Sequence, residues 1–211
     1  MKTDEKIMHA SATIRVQAPR TSEFINKSKS MSEEDLIEGC QKGKRKAQSQ
    51  LYNQYCGAML AIAMRYCENR SEAEDALQDA FVNIFKRIKD FEGRREGSLT
   101  AWIKTIVINS ALSLNRKNKK HNRTEDVTEM RIADPDVHVF EDDKSDERKR
   151  EMILNAVQEL PPGYRAVFNL YVMEGYSHKE IAEILEVSEN TSKSQLSKAR
   201  KYLKSYLGIN D

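Results

Sequence analysis

Residues Tyr176 to Leu207 read YSHKEIAEILEVSENTSKSQLSKARKYLKSYL, and no other stretch leaves the folded chain so little choice. Two helices joined by a tight corner are predicted. Ser177 is placed to cap the first, and Glu180 three residues on completes an S-x-x-E capping box. Ile181, Ala182, Ile184 and Leu185 then give that helix one apolar face, with Ala182 small enough for a close helix crossing. Glu186-Val187 forms the corner, where a glycine would take up the required backbone more cheaply. Ser188 is placed to cap the second helix. Leu196, Ala199 and Leu203 turn inward from it, while Thr191, Lys193, Ser194, Ser197, Lys198 and Lys201 line an outer face that reads as free of acids. A helix that is apolar within, cationic without and entered through a polar N-terminus suits the major groove of DNA. The same pattern also fits a helical hairpin that merely packs, so the stretch alone predicts a DNA-binding helix-turn-helix without saying what the binding is for.

The rest of the chain narrows the classes. Its 211 residues carry a formal net charge of +2, so a nucleic-acid role must rest on how charge is distributed rather than on its sum. Cys40, Cys56 and Cys67 are odd in number and lack a C-x-x-C spacing, which fits reduced, packed thiols better than disulfides or a zinc site. No apolar run approaches the ~20 residues of a membrane span, and no signal-peptide core opens the chain. The expectation is a soluble cytoplasmic protein without a cofactor, a metal or direct membrane insertion.

In chain order, residues 1–30 are polar and aperiodic and read as a flexible extension. Ser32 and Asp35 open a short helix bearing Leu36, Ile37 and Cys40, and Leu51, Tyr55, Ala58, Met59 and Ile62 mark a longer one. Ser71, with Glu74 three residues on, is the expected cap of the next helix. Ala73, Ala76, Leu77, Ala80, Phe81, Ile84 and Ile88 form its buried stripe. Asp75, Gln78, Asp79 and Val82 share another face, at i, i+3, i+4 and i+7. That face is either simply solvated or a dock for a basic partner helix. A metal-dependent nuclease built on Asp75 and Asp79 is less attractive, because no third ligand or phosphate-binding loop accompanies them.

A polar, cationic loop follows from Phe91 to Thr100, with Arg94, Arg95 and Ser98. The helix after it is expected to bury Ile103, Ile106, Val107 and Leu114, and to carry Trp102, Thr105, Asn109, Ser113 and Arg116 on a second face. An aromatic ring, amide and hydroxyl side chains and arginines together supply stacking, base-edge contacts and phosphate neutralisation for single-stranded nucleic acid. A lone tryptophan is equally at home in a core. A basic tract runs to Arg123, and residues 121–146 then become acidic, which reads as a self-repelling linker. Helical pattern resumes through Met152, Ile153, Ala156, Val157 and Leu160. Pro161-Pro162 stop it, and a further helix from Val167 to Met173 ends at Gly175. The predicted fold is all-α: two small helical domains, 31–120 and 147–209, joined by acidic slack.

Three blocks together resemble the bacterial RNA polymerase sigma factors of the sigma-70 family, extracytoplasmic-function (ECF) group. AEDALQDAF (Ala73–Phe81) resembles the family's core-polymerase-binding helix. AWIKTIVINSAL (Ala101–Leu112) resembles its −10 helix, and LPPGYRAVFNLY (Leu160–Tyr171) with the helix-turn-helix resembles its −35 reader. The resemblance implies a non-enzymatic promoter-specificity subunit with a region 2-like and a region 4-like domain. It implies that Asp75, Gln78, Asp79 and Val82 contact the clamp coiled coil of the β′ subunit, and that the second domain also grips the β flap. Phe91, Arg94, Arg95, Ser98, Thr100, Trp102, Thr105, Asn109 and Arg116 would hold melted −10 DNA with a flipped base, a state whose cost of a few kcal/mol the pocket must offset. Ser188, Thr191, Lys193, Ser194, Ser197 and Lys198 would face the double-stranded −35 element. The implied partners are core RNA polymerase, promoter DNA and an anti-sigma factor. Four departures from the family pattern stand out: Asp79 for a usual Glu, Ser113 for a common Asp, Ser192 for an apolar residue and Gln195 for an Arg. The last two bear on which −35 sequence is read. A conventional helix-turn-helix regulator that binds operator DNA alone, as a dimer, is the alternative.

Overall fold

The computed structural model of the protein describes residues 31–93, 97–121 and 146–208. The extension 1–30, Arg94 and Arg95, and linker residues 122–145 lie outside the described residues, as do the side chains of 119–121 and 146–151. All regular structure among the described residues is helical: α1 Glu33–Gln41, α2 Arg45–Met64, α3 Arg70–Arg87 ending in a 3-10 turn Ile88–Asp90, α4 Ser98–His121, α5 Asp146–Gln158, α6 Pro162–Phe168 continued by a π turn Asn169–Met173, α7 His178–Leu185 and α8 Glu189–Tyr206. The chain divides between Lys119 and Lys120 into two compact units. No described helix is long and apolar enough to cross a membrane.

In the first unit, α2 packs on α1 and α3. Leu36, Leu51, Met59, Ala73, Ala80 and Ile84 sit at its centre, each no more than 2% exposed. The α1–α2 crossing is close enough to need glycine, since a Cβ at Gly39 would lie 2.6 Å from that of Ala47. Ser32 caps α1 as expected, accepting from the Asp35 amide at 3.1 Å. The cap of α3 is Asn69 rather than Ser71: its Oδ1 accepts from Glu72 N at 2.9 Å, and the Glu72 carboxylate accepts from Glu68 N at 3.1 Å. Asn and Ser both cap well, and the earlier of the two wins, leaving Ser71 inside the helix and Glu74 paired with Arg70 at 2.7 Å. Ala58 and Ile62 are half-buried, and the α2 stripe continues at Ala63 instead.

Helix α4 buries a wider arc than predicted. Leu99, Ile103, Ile106, Val107, Ile108, Ala111 and Leu112 are enclosed, and Leu114 is only half-buried. Polar ties flank the buried arc. Thr100 Oγ1 donates to Tyr55 Oη at 3.3 Å, Asn115 Nδ2 to Tyr66 O at 2.8 Å and Asn118 Nδ2 to Glu72 Oε1 at 3.1 Å. They fasten the helix to α2, to the residues just after it and to α3. Cys40 and Cys67 are buried and Cys56 half-buried, all as free thiols, with burial pushing Cys40 up to about 11.

The second unit closes around α8, against which α5, α6 and α7 each pack. Arg165, 4% exposed, donates from Nη1 to Gln158 O at 3.0 Å and to Gln158 Oε1 at 2.9 Å. It thereby satisfies the end of α5 across the Pro161-Pro162 break. The expected helix through Met173 loosens after Phe168 into a π turn, and the wider turn brings both Asn169 and Leu170 inside, at 1% and 0% exposure. Gly175 (φ 78°) then stops it, with Tyr176 N donating to Leu170 O at 3.0 Å. Helix α7 opens with the predicted capping box: Ser177 N donates to Glu180 Oε2 at 2.8 Å, and Glu180 N to Ser177 Oγ at 3.3 Å. It ends at Glu186, whose φ 56°, ψ 44° make it the one left-handed non-glycine among the described residues.

Glu186→Gly should therefore stabilise the protein. The left-handed backbone costs a β-carbon ~1–2 kcal/mol, more than the ~0.5–1 kcal/mol of backbone entropy glycine loses on folding. A net gain on the order of 0.5–1 kcal/mol is expected in urea denaturation. A loss would show that the Glu186 side chain contributes more than its backbone costs.

Candidate polymerase-docking and nucleic-acid surfaces

Asp75, Gln78, Asp79 and Val82 are all exposed, along one face of α3. They share it because Ala73, Ala76, Leu77, Ala80, Phe81 and Ile84 commit the opposite arc to the core. Val82 is 50% exposed, an uncompensated apolar side chain within an acidic row. Tyr52 of α2, 41% exposed, lies with its ring 4.7 Å from that of Phe81, and Phe85 follows at 5.9 Å. This aromatic edge along α3 was not picked out from the sequence. Phe81 and Phe85 at i, i+4 are a local signal for it, whereas Tyr52, about two turns into α2, joins them only through the fold.

The second group gathers where α3 gives way to α4. Phe91 and Trp102 are both half-buried and meet at 4.9 Å between ring centres, tilted by 40°. The tryptophan is thus neither fully exposed nor a core residue. Gln41, also unforeseen, holds the entrance: its Nε2 donates to Ile88 O at 3.2 Å and Phe91 O at 3.1 Å. A Cβ on Gly93 would sit 2.8 Å from the Phe91 ring, so any larger residue there would displace the ring from its place beside Trp102. Ser98 Oγ, also near that glycine, is buried with no hydrogen-bond partner among the described residues. Thr100 turns its hydroxyl inward to Tyr55, whose own phenol is pushed up by burial. Further along α4, Thr105 is exposed with Oγ1 donating to Ala101 O at 3.0 Å, Asn109 is exposed, and Arg116 is half-buried and donates to Ser113 Oγ at 3.3 Å. Trp102, Thr105, Asn109 and Arg116 thus follow one another along a helical face, while Thr100 belongs to the α2 contact and Arg94 and Arg95 lie outside the described residues.

The third group lies on α8. Ser188 caps it, accepting from Thr191 N at 3.0 Å, and the Ser188 and Thr191 hydroxyls are 2.8 Å apart. Lys193, Ser194, Ser197 and Lys198 are exposed, with Ser194 Oγ donating to Thr191 O at 3.0 Å. The outer face is not free of acids. Glu189, in the first turn, pairs with Lys193 at 2.7 Å, and that lysine holds its carboxyl below the usual range. An acid at a helix start is favoured by the helix dipole, a local effect that a search for cationic faces passes over. Ser192 and Gln195 both turn away from the outer face. Ser192 is fully buried, with Oγ 2.9 Å from His178 Nδ1. Gln195 is half-buried against the start of α6, where a Cβ on Gly163 would lie 3.5 Å from its Nε2. Ala182, expected at the crossing, is only half-buried.

Burial first, then the cations Lys193 and Arg200, hold His178 below its ordinary 6.5, with Glu189 opposing. A base whose folded value is depressed binds protons more readily when unfolded. Its contribution is intact above pH 6.5 and is lost as pH falls through that value toward the lower folded one. Denaturation between pH 5 and 8 should show stability falling on the acid side of this window, and His178→Asn should flatten that part of the slope. An unchanged slope in the variant would remove His178 as its source.

Against this geometry, the profile for Sigma-70 region 2 matches residues 51–121 and that for Sigma-70, region 4 matches residues 150–203, together more than half of the chain. The chain is 23% identical over 180 residues to the ECF RNA polymerase sigma-E factor of Haemophilus influenzae, covering 82% of this chain and 94% of that one. It is 28% identical over 177 residues to the ECF RNA polymerase sigma factor SigM of Mycobacterium tuberculosis, covering 84% and 85%. Among solved structures, the sigma factor RpoE from Bartonella quintana, crystallised with the anti-sigma factor NepR, is similar at a TM-score of 0.48 with 25% identity, covering 79% of this chain and 99% of that one. The chain belongs to the sigma-70 family of transcription initiation factors, in its extracytoplasmic-function group.

Proposed function

We propose that the protein is a promoter-specificity subunit that binds core RNA polymerase, reads a −35 element with α8 and holds melted −10 DNA on the Phe91–Trp102 side of α4. Residues 31–120 then serve as region 2, residues 147–209 as region 4, and 121–146 as the linker between them. Asp75, Gln78, Asp79 and Val82 dock on the β′ clamp coiled coil, and the second unit grips the β flap. Nucleotidyl transfer stays with the core, in the cytoplasm, and an anti-sigma factor is a further partner in the same reading.

The observation that carries this reading is the exposed acidic face of α3, with Val82 half exposed within it. A regulator that binds operator DNA alone has no use for such a face, whereas a basic coiled coil complements both its charge and its apolar residue. The half-buried Phe91–Trp102 pair suits a base turned out of the stack, since it offers aromatic surface at the end of a fixed helix. On α8, capped at Ser188, Thr191, Ser194, Ser197 and Lys198 run along the first three turns as donors for base edges and phosphates. With Lys193 partly neutralised by Glu189 and a net charge of only +2, the free protein is expected to bind DNA weakly.

Asp75→Ala combined with Asp79→Ala should weaken binding to core polymerase on the order of tenfold while leaving helicity and the melting midpoint in place, because both side chains are exposed. Unchanged affinity for core would reject the docking face. Lys198→Ala should weaken holoenzyme binding to promoters that carry a −35 element and reduce the salt slope by about one. An equal loss on a promoter lacking that element would reject its −35 assignment.

A further inference from the structure

One inward contact of the helix-turn-helix is polar where its neighbours are apolar. The inward stripe of α8 runs Ser192, Leu196, Ala199, Leu203, and Ser192, fully buried, lies in the first turn. Its Oγ is 2.9 Å from Nδ1 of His178, the residue that opens α7. The histidine ring is itself held, stacked on Tyr171 at 4.6 Å and 23°, with the Arg200 guanidinium 6.0 Å above the same tyrosine ring. Leu196, Ala199 and Leu203 hold the rest of the helix by apolar contact, which is non-directional. A hydrogen bond tolerates only a narrow range of distance and angle.

The direction matters because of what lies opposite. Ser194, Ser197 and Lys198 sit roughly 140–240° around the helix from Ser192. With side-chain tips about 5–6 Å from the axis, a roll of about 10° shifts them by about 1 Å. That is more than the ~0.5 Å spread over which a base-edge hydrogen bond stays good. The effect is largest in the first turns, which approach the bases in a helix-turn-helix.

We propose that His178 and Ser192 form a positioning pair that fixes the rotation of α8 and thereby sets how sharply the protein discriminates −35 sequences. The proposal rests on α8 being the −35 reader. Neither residue touches DNA in this arrangement; both act through Ser194, Ser197 and Lys198. With Ser192 buried and His178 half-buried, the pair contributes little net stability compared with an apolar contact but favours a single register, the best-attested use of polar groups in such positions.

The test is the ratio of holoenzyme affinities for one promoter with its −35 element intact and scrambled. Ser192→Ala and His178→Leu should each lower that ratio by about tenfold, with affinity for core unchanged. His178→Asn, which keeps a polar atom near the Nδ1 position, should hold the ratio within about twofold of wild type. Ser177→Ala removes the α7 capping box while keeping both members of the pair, and should leave the ratio intact while lowering stability. If Ser177→Ala lowers the ratio as much as Ser192→Ala does, the pair is only structural and the proposal fails. If Ser192→Ala leaves the ratio at the wild-type value, positioning is rejected while the −35 reading stands. A wild-type ratio of one would overturn the −35 reading itself, and the positioning role with it.

Discussion

Helix α8 is asked to be two things at once. Its inner stripe is the surface on which α5, α6 and α7 are assembled, and its outer row is the surface that the proposed function presents to DNA. Each buried leucine contributes on the order of 1.5–3 kcal/mol through its removal from water. Leu196, Leu203 and, just beyond the helix, Leu207 therefore supply much of what holds so small a unit together. Ser188 and Glu180 fix where the two helices of the motif begin, and Glu186 accepts a strained backbone so that the corner between them can be short. Packing against three neighbours holds this helix in place, and the directional His178–Ser192 contact adds a preferred rotation about its axis, the kind of rigidity that reading base edges demands.

The first unit solves a different problem. There the apolar packing of α2 and α3 makes a platform, and polar side chains then place what stands on it. Gln41 holds the backbone at Ile88 and Phe91, Thr100 ties the start of α4 to Tyr55, and Asn115 and Asn118 tie its far end. The aromatic pair Phe91–Trp102 is thus set by hydrogen bonds made elsewhere. Side-chain hydrogen bonds of this kind are directional, worth about 1 kcal/mol each, and determine geometry more than stability.

Much of this was legible in the sequence because periodicity and capping are local. The α3 stripe, the exposed row opposite it, the capping box at Ser177 and the cap at Ser188 each follow from residues within two turns of one another. What escaped depended on competition or on distant partners. Asn69 displaced Ser71 as a cap, although either suits the role. Leu114 yielded to Ile108, Ala111 and Leu112 because α4 is enclosed from two sides. The π turn at Asn169 has no signature in the pattern of apolar residues. Ser192 and Gln195 looked like altered groove contacts, yet one bonds to His178 and the other lies against Gly163; only the fold shows which way a side chain on a helix shoulder turns. Tyr52 and Gln41 act across ~30–50 residues of sequence, beyond the reach of any local pattern.

The most direct measurement combines the purified protein with sigma-free core polymerase and promoter fragments, and scores run-off transcripts of defined start. Defined transcripts that need both the protein and an intact promoter are the predicted result, with neither the protein nor core alone sufficient. No association with core, together with tight binding of operator DNA by the protein alone, would contradict it.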